Sequence, residues 1–397
     1  MNKPIILIFV ACYLPGYKSG GPLRTLSNIV EHLGHEFDFR IVTRDRDASD
    51  LRSYDTILVN QWQSVGKAQV LYLSPKHESL KNFQKIIKNI RFDVMYLNSF
   101  FDFTFTCKPL VAYLLSKTHQ KPVILAPRGE FSDGALHLKK IKKRTYIAIT
   151  TALNMYQNIV WHASSEHERD EIERQSFLTP KRIHVAMDLP ERTSRLAVTT
   201  KLSIRNSGHL RILFLSRIAA MKNLDFALHV LKKINVHVIF DIYGPVSDAN
   251  YWKTCQVLMD AMPQHVHVNY YGCVPHQSVA SIYAEYDLFF LPTRGENYGH
   301  VIVEALSAGT PVLISDRTPW KNLADERLGW DLSLENELAF VRCIEIFALQ
   351  SPEERALLRQ HIQAAMLDKL AMSDVIEANR QLFLSQVQLR NVPEITR

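Results

Sequence analysis

The stretch PTRGENYGHVIVEALSAGTPVLISD, residues 292–316, decides the expected fold class of this 397-residue chain. It follows an apolar run ending at Leu291, and a glycine-containing loop leads to a helical pattern between Gly299 and Gly309. Pro311 then begins another apolar run of strand length. Strand, loop, helix and strand in this order build parallel sheets covered by helices. We therefore expect an α/β fold of the Rossmann type.

The same alternation extends over the whole chain and predicts two Rossmann-like domains facing a central cleft. We expect an amino-terminal domain over 1–190, a linker over 191–209 and a carboxyl-terminal domain over 210–370. Residues 371–397 have a helical pattern and no strand left to pair, so we expect a helix that packs back on the amino-terminal domain. The predicted strands are Ile5–Val10, Phe39–Thr43, Thr56–Asn60, Val94–Asn98, Val123–Ala126, Ile159–Ala163, Ile183–Met187, Arg211–Ser216, His237–Tyr243, His267–Tyr270, Leu288–Leu291 and Pro311–Ser315.

The composition is that of a globular protein, with 47% hydrophobic and 22% charged residues. The five cysteines are odd in number and lack a CxxC spacing, which favours neither a disulfide framework nor a zinc site. We therefore expect a cytoplasmic location. No run of about 20 residues is apolar enough to span a bilayer. A net charge of +7 permits anionic partners without choosing among phosphates, lipid headgroups and nucleic acid.

Two glutamates in the opening stretch are the first candidate site residues. Glu296 lies in the predicted loop and Glu304 within the predicted helix, eight residues later. The backbone N–H groups of Tyr298, Gly299 and His300 would lie unpaired at the start of that helix, a suitable site for an anion or for sugar hydroxyls. An ordinary helix start with a solvated carboxylate is the alternative.

This stretch resembles the E-x7-E signature of retaining glycosyltransferases of family 4, which have two Rossmann domains in the B-type arrangement. The resemblance implies that Glu296 contacts the transferred sugar and that Glu304 hydrogen-bonds the ribose of the nucleotide. It also implies donor contacts by the intervening residues Asn297, Tyr298, Gly299 and His300.

A second match lies in LFLSRIAAMKNL, residues 213–224, where Arg217 and Lys222 stand at a predicted strand-to-helix junction. Family members carry an Arg and a Lys at this spacing to stabilise the diphosphate that leaves with the nucleotide. Fixed cations stabilise that growing charge more in the transition state than in the ground state. Because Arg217, Lys222 and helix amides would carry the phosphate charge, we expect no metal cofactor, and the nucleotide-sugar acts as co-substrate.

Further donor contacts are implied by glycine-containing loops in both domains. Gly20 and Gly21 follow the first strand in YLPGYKSGGP, and paired glycines let the backbone approach a ligand closely. Gly244 and Val274 match positions that enclose the nucleotide base in the family. A structural turn is the alternative for each segment.

Acceptor contacts are expected in the amino-terminal domain. APRGEFSDG, residues 126–134, resembles a loop of capsule and lipopolysaccharide transferases, which makes Arg128 and Glu130 candidates. His162 is a third candidate, with a structural histidine as the alternative. No histidine stands between Asn98 and Asp102, where several family members carry one, so the group that deprotonates the acceptor is unassigned.

HLKKIKKRTY, residues 137–146, concentrates five basic residues. A solvated helical face is one interpretation. The other is a peripheral contact with the inner face of the cell membrane, where lipid-linked acceptors lie.

The resemblance as a whole implies a retaining glycosyltransferase acting on a nucleotide-sugar, with UDP favoured as the nucleotide. The implied acceptor is a glycan or lipid-linked saccharide of the bacterial envelope, in lipopolysaccharide, capsule or exopolysaccharide synthesis. A nucleotide-sugar epimerase of the same fold is the alternative. A catalytically inactive sugar-binding module is opposed by the set Arg217, Lys222, Glu296 and Glu304. A nucleic-acid-binding protein lacks the expected basic stripe interleaved with aromatic residues.

Overall fold

The computed structural model divides the chain into two compact units, residues 1–192 with 372–397 and residues 193–371. The residues it describes are 3–48, 50–116, 121–132, 135–136, 140–175, 182–191, 208–275, 278–369 and 373–389. Most of the predicted linker, from residue 192 to 207, lies outside the described residues.

An eight-stranded sheet forms the centre of the amino-terminal unit, in the order β3-β4-β2-β1-β5-β6-β7-β8. All its pairings are parallel except that of β3 with β4. The strands are β1 Ile5–Phe9, β2 Asp38–Arg44, β3 Trp62–Val65, β4 Ala68–Leu73, β5 Val94–Asn98, β6 Val123–Ala126, β7 Ile159–Ala163 and β8 Ile183–Val185.

Helices cover both faces of this sheet, because its central strands are apolar on both sides. Buried residues of α1 pack on one face, and those of α2, α3 and α5 pack on the other. The helices are α1 Gly21–Leu33, α2 Leu80–Asn89, α3 Lys108–Leu114, α4 Lys140–Ala152 and α5 Glu166–Glu173.

The carboxyl-terminal unit is built on a six-stranded parallel sheet in the order β11-β10-β9-β12-β13-β14. Its strands are β9 His209–Leu215, β10 His237–Tyr243, β11 Val266–Gly272, β12 Leu288–Leu291, β13 Val312–Ser315 and β14 Gly329–Leu332. Its helices are α6 Leu224–Leu231, α7 Ala249–Asp260, α8 Val279–Ala284, α9 His300–Ser307, α10 Glu337–Leu349 and α11 Pro352–Lys369.

The last helix, α12 Ser373–Leu389, belongs to the amino-terminal unit despite its position in the chain. Phe383 is fully buried and its ring lies 5.5 Å from that of Phe37 and 5.8 Å from that of Tyr96. The Asn379 side chain donates to the Met187 carbonyl at 2.7 Å. The α/β class with two Rossmann-like units is thereby confirmed, and the terminal helix packs as expected.

The predicted strand Thr56–Asn60 is wrong, because a hairpin takes its place in the sheet. β3 and β4 pair antiparallel around Gly66, whose φ of +56° suits a tight turn. β3 takes the place beside β4, and residues 56–60 form turns and a bend instead of a strand. β14 is a further strand that the apolar pattern did not predict, because its sequence GWDL is short and mixed.

Both sheets reverse their strand order once, and this reversal positions the candidate site. In the carboxyl-terminal unit the chain moves outward from β9 in one direction and then returns to place β12 on its other side. β9 and β12 are therefore neighbouring strands whose connections run in opposite directions along the sheet, and the carboxyl edge at such a reversal is where ligands bind in folds of this type. No helix in the described part of the chain is long and apolar enough to cross a membrane.

Candidate active site

The loops after β9 and β12 are joined by hydrogen bonds at this edge of the sheet. Asn223 donates its side-chain amide to the Pro292 carbonyl at 2.9 Å and accepts from Arg294 Nε at 2.9 Å. The Arg294 backbone N–H in turn donates to the Met221 carbonyl at 2.8 Å. These contacts fix the two loops against each other, although the residues they join lie about 70 positions apart in the sequence.

Lys222 and Glu296 meet as an ion pair between these loops. The Lys222 ammonium donates to Glu296 Oε1, and the two side chains are 14% and 13% exposed. The Glu296 backbone N–H donates to the Arg317 carbonyl at 3.1 Å, which anchors the loop to the end of β13 as well. The structure therefore brings together two candidate site residues that were predicted from separate motifs.

Arg217 stands at the same edge of the sheet, two residues after the end of β9. Its side chain is exposed. Within the described residues its guanidinium has no ion-pair or hydrogen-bond partner. Glu296 already compensates Lys222, whereas no described carboxylate pairs with Arg217, so Arg217 offers a positive charge to an anion. Nor does any group of three His, Cys, Asp or Glu side chains among the described residues form a metal site.

Asn223 is the residue of this region that the sequence motifs did not single out. It has φ +61° and ψ +40°, a left-handed conformation that asparagine tolerates better than most residues. The sequence does carry a signal for it: the residue directly between Lys222 and the first residue of α6 is an asparagine, a type that the left-handed conformation favours. We regard it as a positioning residue, because it acts on the Lys222 and Glu296 loops rather than on a ligand.

Helix α9 begins directly after these loops. Gly299 precedes it with φ +80°, a backbone conformation that a residue with a side chain adopts only with strain, so glycine is favoured there. Tyr298 is 8% exposed, and its carbonyl accepts from the indole of Trp320 at 2.8 Å. His300 and Glu304 stand one turn apart on the same side of α9, and both are partly exposed, as is Asn297 before it.

Gly244 and Val274 lie at the ends of the neighbouring strands. A Cβ on Gly244 would fall 1.9 Å from the Ser216 carbonyl oxygen, so only glycine lets β9 and β10 end side by side. The Gly244 N–H donates to the Gly272 carbonyl at 2.7 Å. Val274 is partly buried against the core. Gly244 is therefore required by the packing of the two strands. It contacts Ser216, the residue that precedes Arg217.

In the amino-terminal unit, Gly20 and Gly21 occupy the corresponding position, at the end of the loop after β1. Gly20 has φ +70°, and Gly21 is the first residue of α1. Asp47 holds the loop by accepting from the N–H groups of Tyr17 at 2.7 Å and Lys18 at 3.0 Å. Asp47 is 2% exposed, so this loop is fixed by a buried carboxylate.

Arg128 and His162 belong to one buried polar chain. Arg128 pairs with Asp188 at 2.7 Å, with side chains 5% and 4% exposed, and donates to Tyr96 Oη at 2.6 Å. His162 Nε2 lies 2.8 Å from the Ala186 carbonyl, so it carries the proton, and Nδ1 accepts from Tyr96 Oη at 2.8 Å. Burial lowers the pKa of His162 to about 3, and the Arg128 charge acts in the same direction.

This arrangement gives each of the three expected acceptor residues internal hydrogen-bond partners. His162 is 0% exposed with both ring nitrogens engaged, so it has no surface to offer a ligand. The Arg128 guanidinium donates hydrogen bonds to three side chains within the same unit. Glu130 accepts from the Ser99 hydroxyl at 2.8 Å and from the N–H groups of Phe100 and Phe101, at 2.5 Å and 3.0 Å, and burial raises its pKa. All three residues stabilise the loops at this edge of the sheet.

The carboxyl-terminal unit also matches a known family. Residues 202–355 fit the family model described as "Glycosyl transferases group 1". A relative over nearly the whole chain is an uncharacterized 41.2 kDa protein in the cps region of Klebsiella pneumoniae. It is 22% identical over 374 residues, which cover 92% of this chain and 97% of the relative.

Solved structures with a similar fold are glycosyltransferases or complexes with UDP. Sucrose-phosphate synthase from Thermosynechococcus elongatus has a TM-score of 0.70 at 15% identity, over 98% of this chain and 100% of its own. Anabaena Alr3699/HepE in complex with UDP and glucose has a TM-score of 0.64 at 15% identity, over 97% and 100%. The apo form of the lipopolysaccharide outer core galactosyltransferase WaaB has a TM-score of 0.62 at 14% identity, over 96% and 99%.

At these identities the structural likeness shows the fold, while the family match covers the loops with Arg217, Lys222 and Glu296. The epimerase alternative receives no support from these comparisons. The chain carries a glycosyltransferase group 1 domain, and it is an enzyme of the transferase class.

Proposed function

We propose that this enzyme transfers a sugar, with retention of its anomeric configuration, from a UDP-linked donor to a glycan or lipid-linked saccharide. We place the reaction in the synthesis of a bacterial envelope polysaccharide. The structural likeness to Alr3699/HepE in complex with UDP and glucose supports the donor class. The relative from a cps region and the likeness to WaaB support the acceptor class.

The observation that carries the proposal is that Arg217, at the same sheet edge as the Lys222–Glu296 pair, has no ion-pair partner among the described residues. When the sugar leaves a nucleoside diphosphate, negative charge grows on the two phosphates. Arg217 supplies a positive charge that no described side chain neutralises, and the first N–H groups of α9 point toward the same edge. Cations and amides already in place stabilise this charge without reorganisation. We therefore propose a reaction that needs no metal ion.

Donor binding would separate the Lys222–Glu296 ion pair, and each side chain would then contact a different part of the donor. The diphosphate attracts the Lys222 ammonium, and Glu296 is then released to accept hydrogen bonds from hydroxyls of the transferred sugar. Glu304, on the outward side of α9, would accept from the ribose, and Gly244 and Val274 would lie beside the base. The leaving phosphate oxygen would take the proton of the acceptor hydroxyl.

We propose that the loop after β1 in the amino-terminal unit contacts the ligands of the reaction, with Gly20 and Gly21 as donor contacts beside the acceptor. Gly20 and Gly21 present backbone rather than side chain there, and Asp47 fixes the loop in place. Arg128, Glu130 and His162 contribute indirectly, since their polar atoms hold neighbouring loops.

The test is an acceptor-dependent reaction with UDP-linked sugars and polyprenyl-linked saccharides. We expect UDP release that requires acceptor, and an α-linkage from an α-linked donor, identified from the coupling constant of the anomeric proton. An inverted linkage would exclude the retaining mechanism. Sugar isomerisation without any acceptor would instead identify an epimerase.

A further inference from the structure

The outward side of α4 is apolar where a surface helix is ordinarily polar. Its exposed residues Ile141, Thr145, Ala148, Ile149 and Ala152 follow the i, i+4, i+7, i+8, i+11 spacing of a single helical stripe. Ile141 is 83% exposed and Ile149 is 54% exposed. The stripe continues into Leu153, directly after the helix, which is 65% exposed. We call these six residues the α4 stripe.

Contacts on the opposite side of α4 fix the direction in which the stripe points. The Tyr146 hydroxyl lies 3.0 Å from the Phe100 carbonyl and 2.6 Å from the Tyr156 hydroxyl. Lys143 donates to the Ala135 carbonyl at 2.8 Å and lies 4.5 Å from the centre of the Phe101 ring. The stripe cannot turn inward without breaking these contacts.

The charges of α4 are all of one sign. Its sequence KIKKRTYIAITTA contains Lys140, Lys142, Lys143 and Arg144 and no acidic residue. Lys142 and Arg144 are exposed, and their positions in the helix place them on either side of the α4 stripe. An apolar stripe between two cations is complementary to a surface that is apolar inside and anionic at its rim.

We propose that α4 binds the surface of an anionic lipid bilayer, lying in the plane of the membrane. The isoleucines enter the boundary between headgroups and acyl chains, while Lys142 and Arg144 extend to the lipid phosphates. This inference does not depend on the reaction proposed above. It would bring the amino-terminal unit to the surface on which a lipid-linked acceptor lies.

A second copy of the chain is a poorer occupant of this surface. A two-fold dimer through α4 would place Lys142 and Arg144 of one copy near the same residues of the other. Like charges held together in this way oppose association, whereas anionic lipid attracts both pairs.

The test is co-sedimentation of the full chain with vesicles of phosphatidylcholine containing phosphatidylglycerol, and with vesicles of phosphatidylcholine alone. We expect binding to the anionic vesicles that weakens with added salt. K142A/R144A should lower the partition coefficient about 25-fold, at about fivefold for each basic residue. I141S/I149S should lower the partition coefficient at least about 10-fold, because two apolar side chains that enter the bilayer are lost.

Matched controls come from the carboxyl-terminal unit. Ile346 on α10 is 65% exposed, so I346S removes a similar side chain from a different helix. K253A/R342A removes two exposed cations from α7 and α10. Both controls should bind anionic vesicles like the wild type. All variants should keep the wild-type melting temperature, since every substituted side chain is exposed.

Two outcomes would overturn the proposal. One is wild-type protein that stays in the supernatant with both kinds of vesicle. The other is a set of α4 variants that bind as well as their controls. A wild-type dimer that I141S/I149S converts to a monomer, without vesicle binding, would assign the α4 stripe to a second copy. A shift of melting temperature with UDP, measured on the same preparations, reports the donor site separately.

Discussion

The carboxyl edges of the two sheets carry similar residues and differ in what those residues contact. In the carboxyl-terminal unit, Arg217 is exposed without a partner among the described residues, and Lys222 pairs with a carboxylate that is itself a candidate ligand group. In the amino-terminal unit, Arg128 is buried against Asp188, and His162 is fully enclosed. The edge of the carboxyl-terminal sheet has an arginine available to a ligand. At the edge of the amino-terminal sheet, a buried aspartate neutralises the arginine.

A motif therefore locates a residue on the fold without deciding its role. Both arginines follow a parallel strand directly, at the end where ligands bind in Rossmann folds. Asp188, 60 residues from Arg128 in the sequence, turns one of them into a structural group. Variants at each edge can show whether this division between the two edges is real.

The largest effect is expected from breaking the buried pair. Arg128→Met breaks a buried ion pair by removing one partner, which should lower the free energy of unfolding by about 3–5 kcal/mol. Urea denaturation of the two proteins measures this difference. UDP binding by the folded variant should be unchanged.

The matched control for Arg128 is Arg317→Met. Arg317 pairs with Glu335 at 2.7 Å, and the two side chains are 51% and 69% exposed. Such a surface pair contributes at most about 1 kcal/mol. Equal losses in the two variants would mean that the buried chain of Arg128, Tyr96 and His162 is not the structural feature inferred here.

A smaller effect is expected from Glu296→Gln at the other edge. Turnover should fall about 100-fold, equivalent to about 2.7 kcal/mol, because the amide replaces a charged acceptor for the sugar hydroxyls. Affinity for UDP should stay equal or rise, since Lys222 loses its competing carboxylate. Steady-state kinetics and isothermal titration calorimetry separate the two quantities. If the affinity for UDP fell together with turnover, the proposed separation of Lys222 from Glu296 on donor binding would be contradicted.

The smallest effect concerns pH. Because the pKa of His162 falls to about 3 in the folded protein, only the unfolded chain takes up its proton between pH 6.5 and 3. Stability should therefore decrease as the pH falls below 6.5, by about 2 kcal/mol at pH 5. His162→Gln cannot titrate, and its stability should decline less over that interval. Parallel curves for the two proteins would show that His162 does not carry this dependence.

Much of the fold could be predicted from the sequence because most strands are continuous apolar runs, as in β5 and β12. The hairpin of β3 and β4 could not, since it depends on which sheet edge remains open. The pairing of Lys222 with Glu296 joins residues 74 positions apart and follows from strand order rather than from either motif. The burial of His162 and the outward direction of the α4 stripe depend likewise on distant contacts, through Tyr96 and Tyr146 respectively.

The central claim is that Arg217 holds the diphosphate of a nucleotide-sugar, and a thermal-shift comparison tests it most directly. A ligand that binds only the folded state raises the melting temperature. We predict a rise with UDP, exceeding that with GDP or ADP, which is lost in Arg217→Ala and kept in the exposed control Arg342→Ala. An equal rise in Arg217→Ala, or no rise with any nucleotide in the wild type, would contradict the claim.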